Sequence, residues 1–295
     1  MRGFVAAYGW RVYAVPVLVA ITVLVLIQTT GPDTSGASAQ NAGQRLPAGD
    51  APAEDAPADP KVTEQPAVPP DVNIPTAELP NGAGFAQHGQ GAWDVLPGTG
   101  KRIGNSGEFF TYTIEVERGI DLKPYGGNDS FASLVDATLA DPRGWASTGQ
   151  VSVQRVDGSQ QPDIRISLST PDTVHRPDYC GFSIRYESSC WRRSESRVMI
   201  NLARWVRGAV AFGGDMGSYR SYAINHEIGH AFRRGHVGCA KNGDLAPVMM
   251  QQTFGVANNY VAQLNNQAGN VDPVVADGKV CRYNPWPNPQ ARPPS

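Results

Sequence analysis

Between Asn225 and His236 the chain reads Asn-His-Glu-Ile-Gly-His-Ala-Phe-Arg-Arg-Gly-His, and three of its five histidines, His226, His230 and His236, stand in this stretch. On an α-helix, residues i and i+4 lie about 40° apart. The imidazoles of His226 and His230 therefore reach one ion at about 2.0–2.1 Å, the distance zinc takes to a histidine nitrogen. Glu227, adjacent but rotated, is held near the metal without ligating it. His236 cannot join them on an unbroken helix, where it would lie about 15 Å along the axis from His226. The helix is expected to end between Phe232 and His236, with Gly235 as the residue best able to turn the chain back in the left-handed conformation. Three protein ligands leave the fourth position for water, as a catalytic zinc site requires, with one Zn2+ per chain. At this composition the pattern arises by chance in about 4 of 100,000 such sequences, which weighs against three unrelated histidines. Downstream, Ala246-Pro247-Val248-Met249-Met250-Gln251 is an apolar turn, and a methionine beneath three histidines makes a soft, shaped floor.

The elements that must carry these residues are legible as periodicity. Ile224, Ile228, Ala231 and Phe232 cluster opposite His226 and His230, so one helix face packs and the other faces a cleft; Ser221 is the expected cap. Phe109 to Glu117 alternates, with Phe110, Tyr112, Ile114 and Val116 on one face, and reads as a strand. Ser130 to Leu139 has helical spacing and stops at Asp141-Pro142. Further strands are expected at 151–156, 163–169 and 197–202, the last as a cleft edge able to pair with an extended peptide. Strands mixed with helices argue for an α+β fold.

The 295 residues carry 25 basic and 27 acidic side chains, a net charge of -2 that offers no basic field for a nucleic-acid backbone. Arg2 and Arg11 precede an apolar run from Val12 to Ile27, read as a membrane segment within residues 1–30. The expected location is the cell membrane, single-pass, with the bulk of the chain extracytoplasmic; secretion after cleavage near Ala39 is the alternative. Residues 31–84, rich in Pro, Ala and Asp, read as a disordered linker, and 85–290 as the folded domain. Cys180, Cys190, Cys239 and Cys281 suit an oxidising compartment. Sequence order suggests Cys180 with Cys190 and Cys239 with Cys281, although three connectivities exist. The spacings lack the close pairs of a four-cysteine zinc site. His88 and His175 fall in Gly- and Pro-flanked loops and read as solvated.

HEIGHAFRRGH followed by PVMM resembles the metzincin clan of zinc metallopeptidases, whose pattern is HExxHxxGxxH and a Met-turn. More narrowly, FTYTIEVERGI, FASLVDATLADPRGW, NHEIGH, APVMMQQT and CRYNPWP resemble an actinobacterial family of membrane-anchored or secreted proteins of unassigned function, regarded as metzincin-like. The resemblance implies a metzincin-like domain with a mixed sheet, an active-site helix and a Met-turn. It makes His226, His230 and His236 the zinc ligands, Glu227 the general base and Met249 the Met-turn methionine. The implied activity is hydrolysis of peptide bonds in a peptide or protein substrate. A catalytically degenerate zinc-binding module and a zinc hydrolase of a non-protein cell-wall amide are the alternatives. One departure stands out: the clan's glycine position is Arg233, so either Arg233 bears a left-handed conformation or the turn moves to Gly235. Val256 to Lys279 reads as an insertion without an assigned role.

Overall fold

The computed structural model of the chain describes residues 72–181, 184–265 and 273–292, all within the unit Gln65–Ser295. The apolar run 12–27 and the small-residue stretch 37–39 lie outside the described residues. No helix among the described residues is long and apolar enough to cross a membrane.

The fold is α+β. Six strands, β1 (Trp93–Val95), β2 (Glu108–Glu117), β3 (Val151–Arg155), β4 (Ile164–Ser169), β5 (Cys190–Arg192) and β6 (Arg197–Asn201), form one mixed sheet in the order β1-β2-β4-β6-β5, with β3 also on β2. β2, β3, β4 and β6 are parallel; β1 and β5 run antiparallel at the ends. Parallel neighbours need crossover connections, and α1 (Gly127–Ala140) supplies the one between β2 and β3. Shorter helices α2 (Pro171–His175) and α3 (Leu202–Arg207) follow β4 and β6, α4 (Met216–Ala231) carries His226 and His230, and α5 (Asn258–Val261) comes last.

Alternation along the strands sorts two unlike faces. Tyr112, Ile114 and Val116 of β2, with Ile166 and Leu168 of β4 and Val198 and Ile200 of β6, pack against Phe131 and Val135 of α1 and Ile224 and Ile228 of α4. This core presses α4 onto the sheet. The opposite face is polar yet also buried: Thr113, Glu115, Glu117, Ser167 and Ser169 are all under 5% exposed. Burial of those groups is tolerable because they are paired. Glu117 accepts from Gly91 N (2.7 Å), Thr170 N (2.7 Å) and the Thr173 hydroxyl (2.6 Å), while Glu115 pairs with Arg197, whose guanidinium lies 4.0 Å from the Trp93 ring centre.

Three boundaries differ from the sequence reading. Residues 197–202 are not an edge: β6 is covered on both sides, by β4 and β5, and β5 takes the edge, with no further strand beside it among the described residues. The three-residue β5 is too short to announce itself by alternation. The cap of α4 is Asp215, accepting from Ser218 N at 3.0 Å, and not Ser221, which lies inside the helix with its hydroxyl 3.3 Å from that of Thr138 on α1. The helix starts earlier because Tyr219 and Tyr222 add a turn of buried aromatic surface to its core face.

The expected linker also ends earlier than residue 84. Val72, Ile74 and Ala77 are buried with Ile184, Tyr186, Phe254 and Leu264. The Tyr186 hydroxyl accepts from Ile74 N (2.7 Å) and donates to the Val72 carbonyl (3.0 Å). Arg204 of α3, fully buried, donates to the carbonyls of Ala77, Glu78, Glu187 and Gly208. Proline-rich composition concealed these few apolar anchors. A chain begun at residue 85 forfeits about 4 kcal/mol of burial from Val72 and Ile74 and strips Arg204 of two partners. We expect it to melt about 10 °C below a chain begun at Gln65, as read by calorimetry; equal melting temperatures would show that residues 72–84 contribute nothing.

Candidate metal centre

His226 and His230 sit in the last two turns of α4, and His236 returns to them after the chain reverses. The reversal has the hydrogen-bond pattern of a Schellman turn: Arg233 N donates to the His230 carbonyl (2.9 Å) and Arg234 N to the Gly229 carbonyl (2.9 Å). The left-handed residue is Arg233, φ 63°, and not Gly235. The turn has to precede Arg234, because the Arg234 carbonyl is the acceptor 2.8 Å from His230 Nδ1. Arg233 bears a strain of about 1–2 kcal/mol, and its side chain forms an exposed ion pair with Glu108 at 2.7 Å, of the kind worth about 0–1 kcal/mol. Arg233→Gly is therefore expected to raise the melting temperature by about 3 °C. A lower melting temperature would place more value on the Glu108 pair than an exposed bridge warrants.

The three rings converge. Their ligand atoms lie within 4.8 Å of one another, and the ring centres of His226, His230 and His236 are 4.6 to 5.4 Å apart. His226 Nδ1 stands 2.9 Å from the Val248 carbonyl, and His230 Nδ1 makes the bond to Arg234 just described. A carbonyl only accepts, so each Nδ1 carries a proton, and Nε2 is the atom that can offer a lone pair to a metal when the ring is neutral. Burial, and then the neighbouring histidines, hold the His226 pKa well below the ordinary value, which keeps the ring in its neutral, ligating state. The donor set fits zinc: three imidazoles, two of them oriented by backbone carbonyls.

Glu227 is 6% exposed beside His226. Burial pushes its carboxyl up to about 8, and a divalent charge beside it would act in the opposite direction.

The stretch expected to be the Met-turn is a turn at residues 247–250, packed against α4. It closes with Met250 N donating to the Pro247 carbonyl (2.9 Å), and Val237 N donates to the Met249 carbonyl (3.2 Å), tying the chain just past His236 to the turn. Met249 packs where α4 has no side chain: a Cβ at Gly229 would collide with Met249 Sδ and stand 2.8 Å from Trp145. Gly229 is thus required by close approach of the turn to the helix. Met250 faces elsewhere, into a cluster with Cys239 and Cys281.

Both suggested disulfides are present, Cys180–Cys190 and Cys239–Cys281. The second joins the chain three residues after His236 to the C-terminal segment. The stretch read as an insertion acquires a use here. Asn258 of α5 accepts from Cys239 N (2.7 Å) and donates to the Cys239 carbonyl (3.0 Å), while Val261 and Val274 pack on the bridge. His88 and His175 do not join the triple; they pair with Asp172 and Glu187 instead.

Residues that the sequence reading missed all act across long separations. Trp145 Nε1 donates to the Asn225 carbonyl (2.9 Å), and the Asn225 amide donates to the Pro285 carbonyl (2.9 Å). Gln252 donates to the Asn284 carbonyl (2.8 Å) and accepts from Asn284 N (2.9 Å), binding the Met-turn to the C-terminal segment. The Asn-His and Gln-Gln pairs flanking the motifs were their only trace in the sequence.

Fold and site together define an α+β domain whose histidine triple could hold a metal ion. The chain belongs to the family described as "Protein of unknown function (DUF3152)", which it matches over residues 79–289. No curated protein and no solved structure matches it.

Proposed function

We propose that this protein is an extracytoplasmic, zinc-dependent metallopeptidase of metzincin type. The observation that carries the reading is the convergence of His226, His230 and His236, two of them with Nδ1 tied to backbone carbonyls, beside the buried carboxyl of Glu227. When bound, zinc supplies a Lewis acid that polarises a carbonyl and lowers the pKa of water toward about 7. Glu227 accepts the proton of the attacking water and returns it to the leaving amine. β5, beside which no further strand lies among the described residues, offers backbone groups to an extended peptide, the role first expected of β6. Disulfides support an oxidising location, and the run Val12–Ile27 supports a single-pass anchor.

The test is metal content by mass spectrometry after dialysis of the purified full chain against metal-free buffer, followed by digestion of casein and of peptidoglycan side by side. About one zinc per chain and cleavage of casein are expected. Peptidoglycan cleavage alone would transfer the reading to a non-protein amide, and a folded chain that retains no metal would overturn it.

A further inference from the structure

We infer that Tyr222 is a positioning residue of the metal centre: its hydroxyl fastens the Met-turn to α4 one helical turn before His226, and so keeps the Val248 carbonyl on His226 Nδ1. The inference rests on the metal-site reading above. Tyr222 is 1% exposed. Its hydroxyl donates to the Met250 carbonyl (2.9 Å) and accepts from Gln252 N (2.8 Å). Those two backbone groups also bond each other across Gln251 (2.7 Å), so the phenol seals a small turn from both sides. The same hydroxyl stands 3.4 Å from His226 Nδ1, and the two ring centres are 5.3 Å apart.

The geometry makes a chain of dependence. Val248, whose carbonyl orients His226, lies two residues before Met250 in a turn only four residues long. Whatever holds Met250 to the helix therefore holds Val248 at the correct height above the imidazole. A phenylalanine at 222 fills the same space but leaves the Met250 carbonyl one donor short in a buried position. The turn is then free to shift, and the His226 ring loses its fixed orientation. Residues that orient a ligand from behind change metal affinity by about 10- to 100-fold when removed.

The experiment measures zinc affinity of the full chain by competition with a fluorescent chelator. Tyr222→Phe is expected to weaken zinc binding at least about 10-fold while the protein remains folded by circular dichroism. Tyr219→Phe is the control for a merely structural role: Tyr219 is as deeply buried on the same helix, but its hydroxyl meets the Thr253 hydroxyl, at 3.2 Å, and neither Met250 nor Val248. It is expected to lower the melting temperature and leave zinc affinity unchanged. Tyr222→4-aminophenylalanine restores a donor to Met250 and is expected to recover most of the affinity; it also serves as the test variant should Tyr222→Phe not fold. Wild-type affinity in Tyr222→Phe, an equal loss in Tyr219→Phe, or no recovery with the amine would overturn the inference. A wild-type chain that binds no zinc would be a different result, overturning the metal-site reading itself.

Discussion

Glu227→Gln is expected to leave zinc bound and to lower peptide hydrolysis by about 10²- to 10⁴-fold, the range over which positioned acid–base groups act. The amide has the shape of the carboxyl and cannot take a proton from water, so the variant separates proton transfer from packing. Zinc content and turnover must be measured on the same preparation. Unchanged turnover would remove the mechanism, while loss of zinc would make Glu227 a structural support of the site. The same variant has a signature in the metal-free protein. The Glu227 carboxyl is raised from 4.5 to about 8 by burial, so the folded state keeps its proton where the unfolded chain has released it. Stability is then fully present below the unfolded value and is lost as pH rises toward 8. Glu227→Gln should flatten that slope, as denaturant melts at pH 5 and pH 8 would show.

Removing the Cys239–Cys281 bridge by paired serine substitutions is the second large effect. The bridge spans 42 residues, and in the chain-entropy model closing such a loop contributes about 4 kcal/mol. That corresponds to a fall in melting temperature of about 12 °C. A larger consequence follows for the site. Cys239 is three residues beyond His236, and both its backbone groups are held by Asn258. Without the bridge, the backbone around His236 keeps the bond from Val237 N to the Met249 carbonyl and the bonds of Cys239 to Asn258. Zinc should therefore dissociate faster from this variant than from the Cys180–Cys190 double serine variant, whose 10-residue loop lies at the β5 edge and contributes about 3 kcal/mol. Equal zinc release from both variants would show that the second bridge acts on overall stability alone.

How much was legible in the sequence follows the range of each interaction. Periodicity is local, so the strand at 108–117, the helix ending at Asp141 and the apolar face of α4 were readable from neighbouring residues. The histidine cluster was readable for a related reason, since an i, i+4 spacing on a helix is itself a distance. The break needed before His236 could be deduced, because no unbroken helix brings that ring back. Local chemistry also misled. Gly235 is the better left-handed residue by intrinsic cost, but Arg233 takes the turn because His230 requires the Arg234 carbonyl behind it. Ser221 is a good cap by type, yet its hydroxyl is turned toward Thr138 inside the core.

By itself, then, the amino-acid sequence determined which three histidines converge, that the chain must reverse after Phe232, and that an α+β layer packs behind the helix. Only the tertiary structure decided what holds the convergence in place: Val248 and Arg234 behind the imidazoles, Tyr222 and Val237 on the Met-turn, Trp145 against Gly229, and Asn258 on the bridge. It also placed β5 rather than β6 at the sheet edge and drew Val72 to Glu78 into the packed domain. The physical reason is common to all of these. Backbone carbonyls and amides are the same in every residue, so a bond to one of them across many positions leaves no mark in residue type, and only the folded chain selects which carbonyl a histidine meets.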